Sequence, residues 1–208
     1  MKCFARAHLA SSLAALGVLP SRDIFAELAD AYAAPDRHYH TARHVDACFE
    51  EFQHYRSLAE HPAEIEIALW FHDAIYDTRR NDNERLSAEW AAEFLSSENA
   101  DPAAVARVHA LIMSTRHDSA VDGTDAQLLV DIDLGILGQP RLVFDDYDAA
   151  IRREYHWVPW PRYVESRIAV LSEFLKRPYI YATPPLRDRL EAQARLNLAH
   201  AIAKLEQV

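Results

Sequence analysis

Apolar residues recur along almost the whole chain at intervals of three and four, the period of an amphipathic helix, and nowhere alternate over the length of a strand. The pattern predicts ten helices, at about residues 5–17, 22–33, 41–57, 62–74, 82–97, 102–114, 124–137, 141–156, 160–176 and 185–206. Punctuation supports it: Pro62, Pro102 and Pro161 fall near helix starts, where a missing N–H costs nothing, and Asp101 suits an N-cap. Ser21 precedes the second segment, and Asn81-Asp82-Asn83-Glu84 opens the fifth with a capping side chain and an early carboxylate. A loop is expected from Tyr76 to Asn83. With no strand set, repeat or long linker, the chain reads as all-α. We expect one compact orthogonal bundle over residues 1–208, its core near 37–134 and the helices of 140–206 packed on it.

Three interruptions of the apolar pattern carry chemistry. The run Ile65-Glu66-Ile67-Ala68-Leu69-Trp70-Phe71 ends on His72-Asp73. Upstream, Tyr39-His40-Thr41-Ala42-Arg43-His44 holds two imidazoles four residues apart, a spacing that shares one helix face. Downstream, Asp131 and Asp133 sit inside Leu128-Leu129-Val130-Asp131-Ile132-Asp133-Leu134. Burying ionisable groups is costly unless they are paired or bind metal, so the three insertions together predict one metal site. His72 and Asp73 diverge by about 100° on a helix but both reach one ion from its last turn. Asp131 and Asp133 do not share a face, so one binds while the other caps or hydrogen-bonds nearby. Imidazoles with carboxylates suit a divalent ion such as Mn, Fe, Co, Ni, Zn or Mg with positions left for water. Such an ion makes hydroxide available near neutral pH and polarises a phosphoryl oxygen. A cysteine-free set fits an open catalytic site better than a structural zinc.

Composition narrows the rest. The 22 basic residues against 32 acidic give a net charge of −10. That disfavours a nucleic-acid polymer as partner, though a local basic pocket for one small phosphate remains compatible. Only 4 glycines occur, with neither a P-loop nor a dinucleotide fingerprint. Cys3 and Cys48 are too few for a disulfide framework and form no CxxC, which fits a reducing, cytoplasmic setting. The N-terminal stretch from Leu9 to Leu19 faintly resembles a signal peptide, but serines break it, and we read an ordinary first helix. No run approaches the roughly 20 apolar residues of a membrane span.

The order His…His-Asp…Asp resembles the HD-domain superfamily of metal-dependent phosphohydrolases, over about residues 37–134. Tyr39-His40-Thr-Ala-Arg-His44 is similar to the Tyr-His-Asn-x-x-His motif of its cyclic-nucleotide phosphodiesterases. The resemblance implies metal ligation by His44, His72, Asp73 and Asp133, with Asp131 as the fallback, and proton donation to the leaving oxygen by His40. Arg37-x-Tyr-His-Thr, Trp70-Phe-His-Asp-Ala-x-Tyr-Asp and Asn83-Glu-x-x-Ser-Ala resemble a bacterial subfamily known only as predicted HD phosphohydrolases, which brings no established substrate. Asp77 matches a carboxylate near the attacking water in monometal members; its plain reading is a turn-capping aspartate. Arg37, Arg116, His117 and Glu84 are candidate substrate contacts. Their plain readings are a surface arginine, a polar helix end and a helix-start glutamate. The chain lacks the histidine that two-metal members carry after the His-Asp pair. We therefore expect one tightly held ion, with a weaker second site that Glu84 or His117 would serve.

The expected activity is hydrolysis of a phosphoester of a small molecule, a nucleotide foremost, by attack of metal-bound water, with no membrane partner and an open oligomeric state. The alternatives are a non-catalytic metal- and nucleotide-sensing module and a di-iron oxygenase of HD-like fold.

Overall fold

The computed structural model describes residues 3–117 and 121–207, and among these every regular element is helical. The ten helices are α1 (Arg6–Ala15), α2 (Ile24–Tyr32), α3 (Ala42–Tyr55), α4 (Pro62–Phe71), α5 (Asn83–Ser97), α6 (Pro102–Ser114), α7 (Thr124–Asp133), α8 (Arg141–Glu154), α9 (Trp160–Lys176) and α10 (Pro184–Glu206). Short 3-10 turns, Arg56–Leu58 and Leu134–Gly138, extend α3 and α7, so the two helical periods read further in sequence than the α-helices themselves run. The chain divides into two compact units, residues 1–132 and 133–208.

The first unit is built around α4. All of Ile65 to Phe71 is buried, as is Glu64. A helix apolar all round must be central, and α1, α3, α5 and α6 all pack on it. Its two buried glutamates are both paired. Glu64 takes a two-point grip from Arg107 at 2.7 and 2.8 Å. Glu66 accepts from Ser12 Oγ at 2.6 Å and from Arg56, with His8 Nε2 at 3.7 Å. Aromatic rings of Phe4, Phe25 and Phe49 surround Trp70.

Capping departs from expectation in two places. Asp23, not Ser21, caps α2 by accepting from Ala26 N–H, while Ser21 binds Glu98 through both its N–H and its hydroxyl. Asp82 precedes α5 without capping it, being held instead by Arg80 and Arg85. Asn83 folds back to accept from Asp77 N–H and donate to Asp77 C=O, closing the loop after the His-Asp pair. Asp101 caps α6 as the pattern predicts.

In the second unit, α10 packs on α9 and on the Leu134–Gly138 turn. Asn197 donates to Leu137 C=O and Gln139 C=O, both at 2.8 Å, and the Tyr181 hydroxyl donates to Leu134 C=O. The arginines of this unit find local partners. Arg167 pairs with Asp148 and Arg195 with Glu191, while Arg152 donates to the carbonyls of Tyr155 and Val158. Arg152 also covers the rings of Trp160 and Tyr163. Trp160 and Tyr163 thus belong to local packing, although Trp157 and Trp160 each keep 40% exposure.

Candidate metal centre

Helix ends position the site residues. Thr41 caps α3 by accepting from Arg43 N–H, so His40 lies just outside the helix and His44 in its first turn. α4 stops at Phe71, leaving His72 at its C-cap and Asp73 on the following turn. α7 yields to the 3-10 turn immediately after Asp133, making that residue the last of its helix.

His72 Nδ1 lies 3.0 Å from Leu69 C=O. A carbonyl only accepts, so Nδ1 carries the proton and Nε2 presents a lone pair inward. His44 Nε2 is 3.1 Å from His72 Nε2, and Asp73 Oδ2 is 3.1 Å from His72 Nε2 and 3.5 Å from His44 Nε2. Ligand atoms about 2.1 Å from a common ion stand roughly 3.0 Å apart at octahedral angles and roughly 3.4 Å apart at tetrahedral ones, and the observed triangle matches that range. Cys48 Sγ stands 3.7 Å from both ring nitrogens of His44, and ligand atoms of His44, His72 and Cys48 all lie within 4.8 Å of one another. The two imidazole nitrogens and the Asp73 oxygen turn lone pairs on one another at 3.1 to 3.5 Å, an arrangement that positive charge between them stabilises. One shared proton serves two such groups; a divalent ion serves all of them. The donor set therefore fits a metal ion.

The two histidine side chains are 3% and 1% exposed and Asp73 is 17% exposed, so the centre opens to solvent on the Asp73 side. Burial pushes the Asp73 carboxyl up, but the imidazoles of His72, His40 and His44 outweigh it and hold the group below the ordinary carboxylate range. The His40 ring stacks on Tyr76 at 4.1 Å between centroids and lies 5.9 Å from the His44 ring, at the edge of the cluster.

The remaining sequence-predicted residues separate. Arg37 is only 8% exposed, and its guanidinium donates to His40 C=O at 3.0 Å, Asp73 C=O at 2.6 Å and Ala74 C=O at 2.8 Å. Tyr32 and Tyr76 sandwich it. It is a buried clamp joining the His40 segment to the His-Asp turn, neither the surface arginine nor the open phosphate fork that sequence considered. Asp77 is exposed, and its carboxylate accepts from Arg79 N–H within its own loop, the turn-capping role. Glu84 stands in the first turn of α5 with no hydrogen bond or ion pair among the described residues. Arg116 and His117 follow the end of α6, His117 at φ 58°, the left-handed conformation that closes many helices. Asp131 is 1% exposed. Asp133, its neighbour by two, is the last residue of α7.

Sequence reasoning missed Cys48. Its signal was present: His44 and Cys48 are four apart and share one face of α3. The cysteines were weighed only against disulfide and CxxC spacings, and a thiol set against an imidazole by a helix face follows neither.

No protein-family model, no curated protein and no solved structure matches this chain.

Proposed function

We propose that this chain is a metal-dependent phosphohydrolase of the HD type, acting on a phosphoester of a small molecule, a nucleotide foremost. The observation that carries the reading is the triangle of His44 Nε2, His72 Nε2 and Asp73 Oδ2, with edges of 3.1, 3.1 and 3.5 Å. The order of these residues along the chain, and His40 beside them, is the order the HD resemblance implies.

A divalent ion held there would lower the pKa of a water toward neutrality and polarise a phosphoryl oxygen. The chain's own residues divide the remaining work. His44, His72, Asp73 and Asp133 hold the ion, and the ionised state of Asp73 makes that binding favourable at neutral pH. His40, at the rim and braced against Tyr76, hands its proton to the leaving oxygen. Arg37 keeps His40 and Asp73 in register by fixing the carbonyls of both. Asp77, next to the open side in sequence, is better suited to shaping the loop than to abstracting a proton.

The test is phosphate release from a panel of nucleotides, phosphomonoesters and phosphodiesters, by metal-stripped protein resupplied singly with Mn, Fe, Co, Ni, Zn or Mg. Asp73→Ala runs alongside. Turnover restored by one metal and absent in the variant is the expected result. Silence across the panel with metal bound stoichiometrically would sink the hydrolase reading in favour of a sensor or an oxygenase.

A further inference from the structure

We propose that Cys3 and Phe4, just ahead of α1, form a strap that holds the metal centre preorganised, so that detaching it weakens metal binding. The inference rests on the metal-centre reading above and adds a conformational control of that same site.

The strap is fixed through its backbone. The N–H groups of Cys3 and Phe4 both donate to Asp46 Oδ1, the Phe4 bond at 2.7 Å. Asp46 stands on α3 two residues past His44. Cys3 C=O accepts from His8 Nδ1 at 2.8 Å, which ties the same segment to α1. A carboxylate that grips two successive amides makes charge-assisted bonds, stronger than neutral ones.

The Phe4 side chain reaches the other half of the centre. Its ring lies 4.8 Å from the Trp70 ring and 5.7 Å from the Tyr32 ring, between centroids. Trp70 belongs to the last turn of α4, two residues before His72. Tyr32 is fully buried; its hydroxyl donates to Trp70 C=O at 3.1 Å, and the Arg37 guanidinium lies over its ring at 5.1 Å. Arg37 in turn holds the carbonyls of His40, Asp73 and Ala74. Two residues thus staple the helix of His44 to the turn of His72 and Asp73.

A staple matters here because the three donor atoms face one another at 3.1 to 3.5 Å. Their lone pairs push the free site apart unless the elements carrying them are held. Holding the site in its bound arrangement lowers the cost of binding. Coupling carried by packed side chains changes affinity by about 2- to 30-fold.

The deciding experiment is competition for zinc between the full chain and a chelating dye, with each variant first shown folded by circular dichroism. Phe4→Ala should weaken zinc binding by about 3- to 30-fold. Leu95→Ala, which empties a buried position in the last turn of α5, should lower the urea midpoint yet leave zinc affinity unchanged. Asp46→Ala should bind zinc more weakly than Asp46→Asn by about threefold or more. Both lose the charge, and only the asparagine keeps an oxygen acceptor for the strap. Unchanged affinity in folded Phe4→Ala, equal affinities in the two Asp46 variants, or an equal loss in Leu95→Ala would overturn the strap and leave the centre standing. Failure of the unaltered chain to hold zinc would overturn the centre, and the strap with it. If Phe4→Ala does not fold, the Asp46 pair, altered at a partly exposed position, decides.

Discussion

At the scale of single residues, the centre depends on side chains whose orientation is held by neighbours. His72 is aimed by Leu69 C=O, His40 by Tyr76, and both segments by Arg37. Replacing a ligand removes a direct bond. His72→Ala or Asp73→Ala should weaken metal binding by on the order of 100-fold or more, measured by competition with a chelating dye. Unchanged affinity in both would show that the ion, if bound, lies elsewhere. Arg37→Ala leaves three carbonyls without their charged donor, and each such bond is worth about 1.5–3 kcal/mol. We expect a loss of at least about 3 kcal/mol in urea unfolding, of which Arg37→Lys restores less than half. An ammonium lacks the planar fork that reaches several acceptors at once. A loss under about 1 kcal/mol would mean that the clamp is dispensable.

At the scale of elements, the second unit turns on one close approach. A Cβ at Gly138 would stand 2.6 Å from Leu190 Cβ and 2.8 Å from Leu190 O on α10. The α10 backbone must therefore move away from the Leu134–Gly138 turn to accept any larger residue. Gly138→Ala should destabilise by about 1–3 kcal/mol, the usual range for overpacking, seen as a lowered urea midpoint. An unchanged midpoint would show that the contact relaxes freely. Helix starts were less legible than helix existence. The Asn81–Glu84 cluster is rich in capping side chains, yet Asp82 is drawn off by Arg80 and Arg85, and Asn83 by Asp77. Which of several competent caps is used depends on partners that arrive from outside the local pattern.

For the molecule as a whole, metal and proton binding both enter stability. An ion that binds only the folded chain adds RT ln(1 + [L]/Kd), about 4 kcal/mol at a thousandfold excess over Kd. Chelator treatment should lower Tm, and zinc or cobalt should restore it; calorimetry showing no shift would argue against a bound ion. The pair of half-buried His8 and buried Glu66 adds a pH term. The Glu66 carboxylate, 3.7 Å from Nε2, raises the His8 pKa above its ordinary 6.5, so its contribution is complete below that value and fades as pH rises through the raised one. Burial pushes Glu66 up, but bonds from His8 and Ser12 and the charge of Arg56 carry it below 4.5. Its contribution is complete above 4.5 and fades as pH falls through the lowered value. The stability difference between the unaltered chain and His8→Ala should therefore be greatest between pH 4.5 and 6.5. A flat difference from pH 4 to 9 would exclude the pair as a source of pH dependence.

Sequence alone determined the all-α class and the existence of ten helices, because the spacing of apolar residues is a local record of which face must be buried. It also singled out His44, His72 and the Asp131/Asp133 pair, since an ionisable group inside an apolar run is anomalous without reference to any neighbour. Tertiary structure decided everything that depends on which groups meet. It turned Arg37 inward onto three carbonyls, and it brought Cys48 to the two imidazoles. Direction and distance between side chains on different helices have no periodicity for a sequence to display; they arise only once the helices have packed.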